Sequence, residues 1–299
     1  MSILIISRGK CGLTGCITYY LLSMAVADLL VVLTNVIVNR ILGVYFPASF
    51  LSVTPVCAVK TVALYVAKDC SVWLTVAFTF DRYVAICCPN FRNKYCTRRR
   101  AALVIGLVCA GCLFRNIPWY FAFEHLVLID NVPWYCMFVS NYFTSRSWIA
   151  FSFSNLVVSL FLPLGLTLLF NALTIRYILL SSRIRRRLRG QKSSGHESDS
   201  EIQNRKQSVV LLLAISANLI ILWLTFVAHY IFARSIGKYF YTTSDPLFYF
   251  SETGYLLLLL SCSTNTLIYA AVQSKFREEI KYLVLYHFRR AAELIKSQR

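Results

Sequence analysis

Charge is scarce in this sequence, and acidic charge scarcer still. Only 15% of the 299 residues are Asp, Glu, Lys or Arg, against about 25% in an ordinary soluble domain. Apolar residues reach 58%, where about 45–50% is usual. That balance disfavours a large soluble core and points to a membrane protein. Basic residues outnumber acidic ones 31 to 13, a formal net charge of +18. Such an excess suits nucleic acid, anionic lipid or an acidic partner. Here the Lys and Arg residues fall between apolar runs of about 20 residues, as in the loops of membrane proteins, so no nucleic-acid partner is expected. The eleven cysteines form no paired Cys-x-x-Cys array, and His229 has no second His or Cys within a turn, so no metal site is expected. Gly-x-Ser-x-Gly, His-Glu-x-x-His and phosphate-cradling glycine loops are missing as well. Neither enzyme chemistry nor an organic cofactor is therefore expected. A signal peptide is not evident, because Met1–Ile6 is short and Arg8 and Lys10 follow it rather than precede it. No internal repeat supports an inverted-repeat transporter.

What the chain does have is long apolar segments. A helix needs about 20 residues to cross a bilayer, and six segments qualify: Thr18–Arg40, Cys57–Ile86, Ala101–Phe123, Trp148–Leu180, Gln207–Ala233 and Pro246–Val272. The stub Ile3–Ile6 precedes them, and residues 1–10 read as the end of a first helix whose remainder is missing. The expected fold is an all-α, seven-helix membrane bundle with six complete spans, that stub, and an amphipathic C-terminal helix within residues 274–299. A true six-span protein with both ends inside is the alternative. Arg8, Lys10, Arg92, Lys94, Arg98–Arg100, Arg183, Arg185–Arg187 and the tail from Lys275 fall on one side of the membrane. The positive-inside bias makes that side, and the C-terminus, cytoplasmic. The cytoplasmic loop 181–207 contains Ser193–Glu201, a polar acidic stretch that reads as disordered. Its serines are phosphorylation candidates or simply part of a solvated linker.

The sharpest local pattern is Asp81-Arg82-Tyr83 at the end of the second complete span. Cys57 lies 25 residues earlier on the same helix, roughly 37 Å away at 1.5 Å per residue. It therefore reaches the outer face, where Cys136 of the next outer loop can pair with it. An Asp81–Arg82 pair at a wet helix end would contribute about 0–1 kcal/mol. Asp28 is an intramembrane carboxylate that needs partners.

Together these features resemble rhodopsin-like (class A) G-protein-coupled receptors. The resemblance rests on Asp28 in Leu-Ser-Met-Ala-Val-Ala-Asp-Leu-Leu, Cys57 with Cys136, Asp81-Arg82-Tyr83, Pro163, Trp223, Asn265-Thr-Leu-Ile-Tyr269 and Phe276-Arg277. Ser7-Arg-Gly-Lys-Cys-Gly-Leu13, Leu188-Arg-Gly190 and Ser261-Cys-Ser-Thr-Asn-Thr look like the orphan receptor 139-type group. The resemblance implies a plasma-membrane receptor for a small aromatic, amino-acid-like or peptide ligand. It implies heterotrimeric G-protein partners, possibly of Gq type, with arrestin and receptor kinases, in contact with membrane lipids. Asp81, Arg82, Tyr83, Trp223, Asn265 and Tyr269 would form the switch. Asp28, Ser71 and Asn265 would form a water pocket able to take a sodium ion; a plain hydrogen-bonded helix contact is the other reading.

The sequence departs from the family pattern in several places. Thr225 stands where a proline usually follows the Trp, so the proline kink of that helix is lost. Thr266 replaces the proline after Asn265, and Asn171 replaces a tyrosine. Leu64 occupies the place of the amine-binding Asp, which excludes a biogenic-amine ligand. Lys68 and Asp69 lie one turn deeper, either to bind a zwitterion or to pair with neighbouring helices. Lys68 is the better placed of the two. Tyr65, Trp223, Phe226, His229, Tyr230, Glu252 and Tyr255 are the candidate walls of the ligand site, each equally consistent with packing. A transporter and a non-signalling receptor fragment remain the competing classes.

Overall fold

The computed structural model describes residues 2–7, 15–46, 48–189, 197–236, 246–272, 276–282 and 285. Helix α1 (Ser2–Ser7) precedes α2 (Gly15–Val32), which continues as a π-helix over Leu33–Ile41 and ends in α3 (Leu42–Tyr45). Then come α4 (Thr54–Cys87), α5 (Pro89–Tyr95) and α6 (Arg98–Asn116), the last closing in a 3-10 turn at Ile117–Ala122. A hairpin, β1 (Phe123–Ile129) and β2 (Val132–Phe138), follows. Next, α7 (Arg146–Asn155) runs through a π-helical stretch, Leu156–Phe161, into α8 (Leu162–Arg189). The chain continues with α9 (Glu197–Ile236) and α10 (Pro246–Val272). Residues 276–282 are helical too.

Among the described residues five helical stretches are long and apolar enough to cross a membrane: Gly15–Ile41, Thr54–Cys87, Arg98–Ala122, Arg146–Ser181 and Val209–Ala233. The sixth expected span, Pro246–Val272, is a continuous helix of 27 residues. The stub Ile3–Ile6 is helical, with Ile5 and Ile6 fully buried. The expectation of disorder across Ser193–Glu201 needs correction. Residues 193–196 lie outside the described residues, whereas Glu197–Glu201 begins α9. Glu197, Asp199 and Glu201 fall in the first turns of that helix, where its partial positive charge favours acidic residues. Of the expected amphipathic helix, residues 276–282 are helical and Phe276 is fully buried.

The interior is built in layers along α4. At the Arg82 end, Ile5, Ile6, Tyr20, Leu21, Met24, Leu74, Phe78, Ile215 and Phe276 pack together. Val31, Ala67, Val72, Leu160, Leu219, Trp223, Val227 and Leu258 form a middle layer. Trp119, Ala122 and Tyr142, with Tyr65, Phe138, Trp148 and Phe151 against them, close the disulfide end. The outward faces carry Leu29, Leu103, Leu107, Leu168, Ile221, Leu224, Leu256 and Leu267, all exposed. An apolar exterior over helices whose backbone groups are bonded internally is what a lipid solvent demands.

The hairpin was not foreseen from the apolar periodicity. Its two-residue connection, Asp130-Asn131, has φ of 50° and 60°, the double left-handed geometry of a tight type I′ turn that Asn and Asp tolerate. Register runs from Ile129 opposite Val132 to Phe123 opposite Phe138. Tyr135 also has positive φ, 57°, uncommon for a bulky residue, and its carbonyl accepts the Thr54 hydroxyl at 3.1 Å. Beside it Cys136 is bonded to Cys57, and Val53 bridges to Trp134. The hairpin is thus moored to the start of α4, a helix opened by Pro55 in its first turn.

Cys136→Ser should release that mooring. We expect a lower denaturation midpoint in detergent, equivalent to about 2–4 kcal/mol for a loop of this size, and reduced surface delivery. Wild-type values for both would show that the hairpin is held without the bond.

Candidate functional site

Three polar clusters interrupt the apolar interior. At the far end of α4, Asp81 Oδ2 accepts from Arg82 Nε at 3.1 Å and from Nη2. The Arg82 guanidinium also lies 5.8 Å from the centre of the Phe78 ring. The other carboxylate oxygen, Oδ1, accepts the Cys16 thiol at 3.2 Å. Tyr83 stacks on Phe170 of α8 at 5.7 Å. The pair was expected at a wet helix end, yet the side chains are only 8% and 1% exposed. Packing by Cys16, Phe78 and the α5–α6 turn excludes water. The contribution of about 0–1 kcal/mol for an exposed pair therefore does not apply. Loss of one partner would strand a buried charge, at a cost of about 3–5 kcal/mol.

The second cluster surrounds Asp28 on α2, which is 5% exposed. Ser71 Oγ donates to Oδ1 at 2.5 Å and Asn265 Nδ2 donates to Oδ2 at 2.7 Å. The network runs on to α9. Asn218 Nδ2 reaches Asn265 Oδ1 at 3.5 Å and the Ser261 carbonyl at 3.1 Å, while Thr264 donates to Asn218 Oδ1 at 2.8 Å. Four helices therefore meet through one carboxylate and its neighbours. Asn218 was missed at first sight, although a lone amide inside Leu211–Leu224 is the kind of intramembrane polar residue that marks such a node.

The third cluster lies nearer the disulfide end. Lys68 and Asp69 are both buried. Asp69 Oδ2 accepts from Asn116 Nδ2 at 2.6 Å and from Arg115 Nη2. Arg115 also donates to Asn155 Oδ1 at 2.7 Å and to Ser159 Oγ. Of the two readings of Asp69, its contacts fit the charge pair with a neighbouring helix, because its carboxylate is committed to α6. The Lys68 ammonium sits 4.7 Å from the centre of the Tyr65 ring, and Tyr65 stacks on Trp119 at 4.4 Å. Arg115 was not legible as a partner because it lies on α6, in a different apolar run from Lys68 and Asp69 on α4.

The remaining candidate wall residues are spread over α9 and α10. Glu252 Oε1 accepts from Arg40 Nη2 at 2.6 Å, both side chains being partly exposed, at 29% and 38%. The Arg40 guanidinium lies 5.5 Å from the centre of the Tyr255 ring. His229 is buried and meets Phe250 edge-on at 5.8 Å. Trp223 is buried in the middle layer. The side chains of Phe226, Tyr230 and Tyr269 lie outside the described residues. The structure thus brings Lys68 to Tyr65 and Arg40 to both Glu252 and Tyr255. Arg40, 212 positions from Glu252 in sequence, could not have been matched to it beforehand.

A bundle of membrane-length helices, moored by a disulfide at one end and carrying a buried Asp-Arg pair at the other, defines a multi-pass helical membrane receptor. Residues 1–277 match the family described as 7 transmembrane receptor (rhodopsin family), and the chain belongs to that family. Its members are G-protein-coupled receptors of the plasma membrane rather than enzymes. Growth hormone secretagogue receptor type 1 of Mustela putorius furo is 27% identical over 289 residues, covering 93% of this chain and 74% of that receptor. The tachykinin-like peptides receptor 86C of Drosophila melanogaster is 25% identical over 268 residues, 87% of this chain and 50% of its own. The FMRFamide receptor of the same organism is 24% identical over 301 residues, 97% and 51% respectively.

The Asp69–Arg115 pair should behave as a structural tie. Asp69→Asn or Arg115→Met alone should destabilise the detergent-solubilised chain by about 3–5 kcal/mol. The Asp69→Leu/Arg115→Met double variant should recover part of the loss. Single variants with wild-type melting would refute the tie.

Proposed function

We propose that this chain is a cell-surface receptor for an extracellular peptide, coupled to a heterotrimeric G protein through the Arg82 end of α4. The observation that carries this reading is the two-ended build of α4. The disulfide holds a hairpin toward the end where charged and aromatic side chains (Lys68, Tyr65, Trp119) gather, and a buried Asp81–Arg82 pair sits at the other. The similar receptors named for tachykinin-like peptides and FMRFamide support a peptide over a small aromatic amino-acid-like ligand. The motif likeness to the orphan receptor 139-type group is the argument for the latter. Leu64 argues against an amine. Lys68, Tyr65, Glu252 and Tyr255 are the proposed ligand contacts, with Asp69 positioning its neighbour through Arg115.

The Lys and Arg bias puts the Arg82 end, the loop 181–207 and the C-terminus in the cytoplasm. There the basic surface would meet the G protein, of Gq type by the motif likeness, and arrestin and receptor kinases afterwards. Arg82, freed from Asp81, would contact the G protein, with Tyr83, Trp223, Asn265 and Tyr269 completing the switch. Asp28 is the proposed sodium site. Its oxygens accept from Ser71 and Asn265, and each carboxylate oxygen has a further lone pair for a cation.

The test is nucleotide exchange in membranes from cells expressing the chain, challenged with a panel of amidated peptides and aromatic amino acids. A peptide should drive exchange in a saturable way, and Arg82→Ala should abolish it at wild-type surface level. Retained exchange in Arg82→Ala would remove the switch role. A response to aromatic amino acids alone would replace the peptide. Sodium should weaken agonist binding in wild type but not in Asp28→Asn; equal sensitivity would exclude the ion site.

A further inference from the structure

Two thiols meet beside the Asp81 carboxylate, and the receptor reading gives them no role. Cys16 opens α2, and Cys96 lies in the turn between α5 and α6. The Cys16 thiol donates to Asp81 Oδ1 at 3.2 Å, and Cys96 Sγ approaches the Asp81 backbone carbonyl at 3.9 Å. The two thiols lie near enough to shift each other's ionisation. Cys16 is buried, whereas Cys96 is partly exposed. A buried cysteine is ordinarily a small apolar side chain. Two that converge on one residue, Asp81, one of them reachable from water, are a reactive arrangement. The neighbouring Cys16 side chain holds the Cys96 thiol below its usual value, and the Arg82 guanidinium acts the same way, against burial and the Asp81 charge. The thiolate is the reactive form of cysteine.

We propose that Cys16 and Cys96 are an oxidative modification site, in which hydrogen peroxide joins them as a disulfide and removes the thiol donor from Asp81. The Cys96 thiolate attacks one peroxide oxygen, the O–O bond breaks, and hydroxide leaves and is protonated to water. Cys96 is then a sulfenic acid. The Cys16 sulfur attacks the Cys96 sulfur, the S–O bond breaks, and the departing hydroxide takes the Cys16 proton as a second water. Asp81 Oδ1, already bonded to that proton, is placed to pass it on. The thiol pair loses two electrons and the peroxide gains them. Low-molecular-weight thiols reverse the bond by exchange, as expected of a transient disulfide in a reducing compartment. The product ties α2 to the α5–α6 turn and leaves Asp81 with Arg82 as its remaining side-chain donor among the contacts described. Its effect on signalling rests on the switch reading above; the modification itself does not.

The test is chemical. Membranes bearing the full chain are treated with hydrogen peroxide, denatured, alkylated and digested, and the Cys16–Cys96 linked peptide is measured by mass spectrometry. It should rise from a trace to most of the Cys96-containing peptide and vanish on treatment with dithiothreitol. In Cys16→Ser, dimedone should trap Cys96 as its sulfenic acid. In Cys96→Ser, Cys16 should stay a thiol. A peroxide dose that oxidises Cys87 or Cys88 yet yields no linked peptide would overturn the site, as would linkage of Cys96 to Cys87 or Cys88 instead. If the link forms but nucleotide exchange is unchanged, the site stands and the switch role of Asp81 falls.

Discussion

A carboxylate inside an apolar bundle has to be hydrogen-bonded, because neither lipid nor hydrocarbon side chains can solvate it. Asp28 meets that demand with donors from two other helices, Ser71 on α4 and Asn265 on α10. Asn218 carries the constraint to α9. A small rotation of any of these helices breaks a bond that nothing in the apolar layers can replace. The hydrophobic effect does not drive helix association in lipid, and polar contacts there contribute directional specificity more than bulk attraction. Asp28 therefore sets how the helices are rotated about their axes, and the layers above and below pack around that setting.

The two π-helical stretches do the corresponding job toward the disulfide end. In each, a backbone N–H reaches five residues back: Leu42 to Ile37, and Leu162 to Val157. Single π turns of this kind shift the facing of the residues around them and often occur at functional positions. The first lies in the stretch that brings Arg40 to Glu252. The second carries Ser159 to Arg115. Both of the polar clusters nearest the hairpin thus depend on a π-helical distortion that apolar periodicity does not reveal.

What could be read in advance follows from this division. Helix positions were legible because about 20 apolar residues in a row have few other uses; most ends move by a few residues, but α8 runs on to Arg189 and α9 begins at Glu197. Cys57 and Cys136 were legible because one lies a membrane's width from Arg82 and the other in the next loop. Asp28, Ser71 and Asn265 stood out as polar residues in apolar runs and meet as three helices. Pairs set by rotation about the helix axis were not legible: Arg40 with Glu252, Arg115 with Asp69, and Cys16 with Asp81. The hairpin was hidden for a different reason. Its turn signal is two residues long, and its strands alternate too weakly to compete with the apolar runs on either side.

The depth of the Asp81–Arg82 pair bears on how the switch proposed for Arg82 would operate. An exposed pair would open under ordinary thermal motion and hold nothing in place. A buried pair opened without a substitute partner leaves a stranded charge costing about 3–5 kcal/mol. Arg82 can therefore leave Asp81 only where a second acceptor, or water admitted by separating helices, takes over its hydrogen bonds. Ligand energy at the far mouth need supply only the difference between the two paired states, which a differential affinity of a few kcal/mol can provide. Packing around Asp81 by Cys16, Phe78 and the α5–α6 turn thus makes the opening conditional on a partner at the Arg82 end. That is the property a receptor needs if it is to stay silent until both its ligand and its G protein are in place.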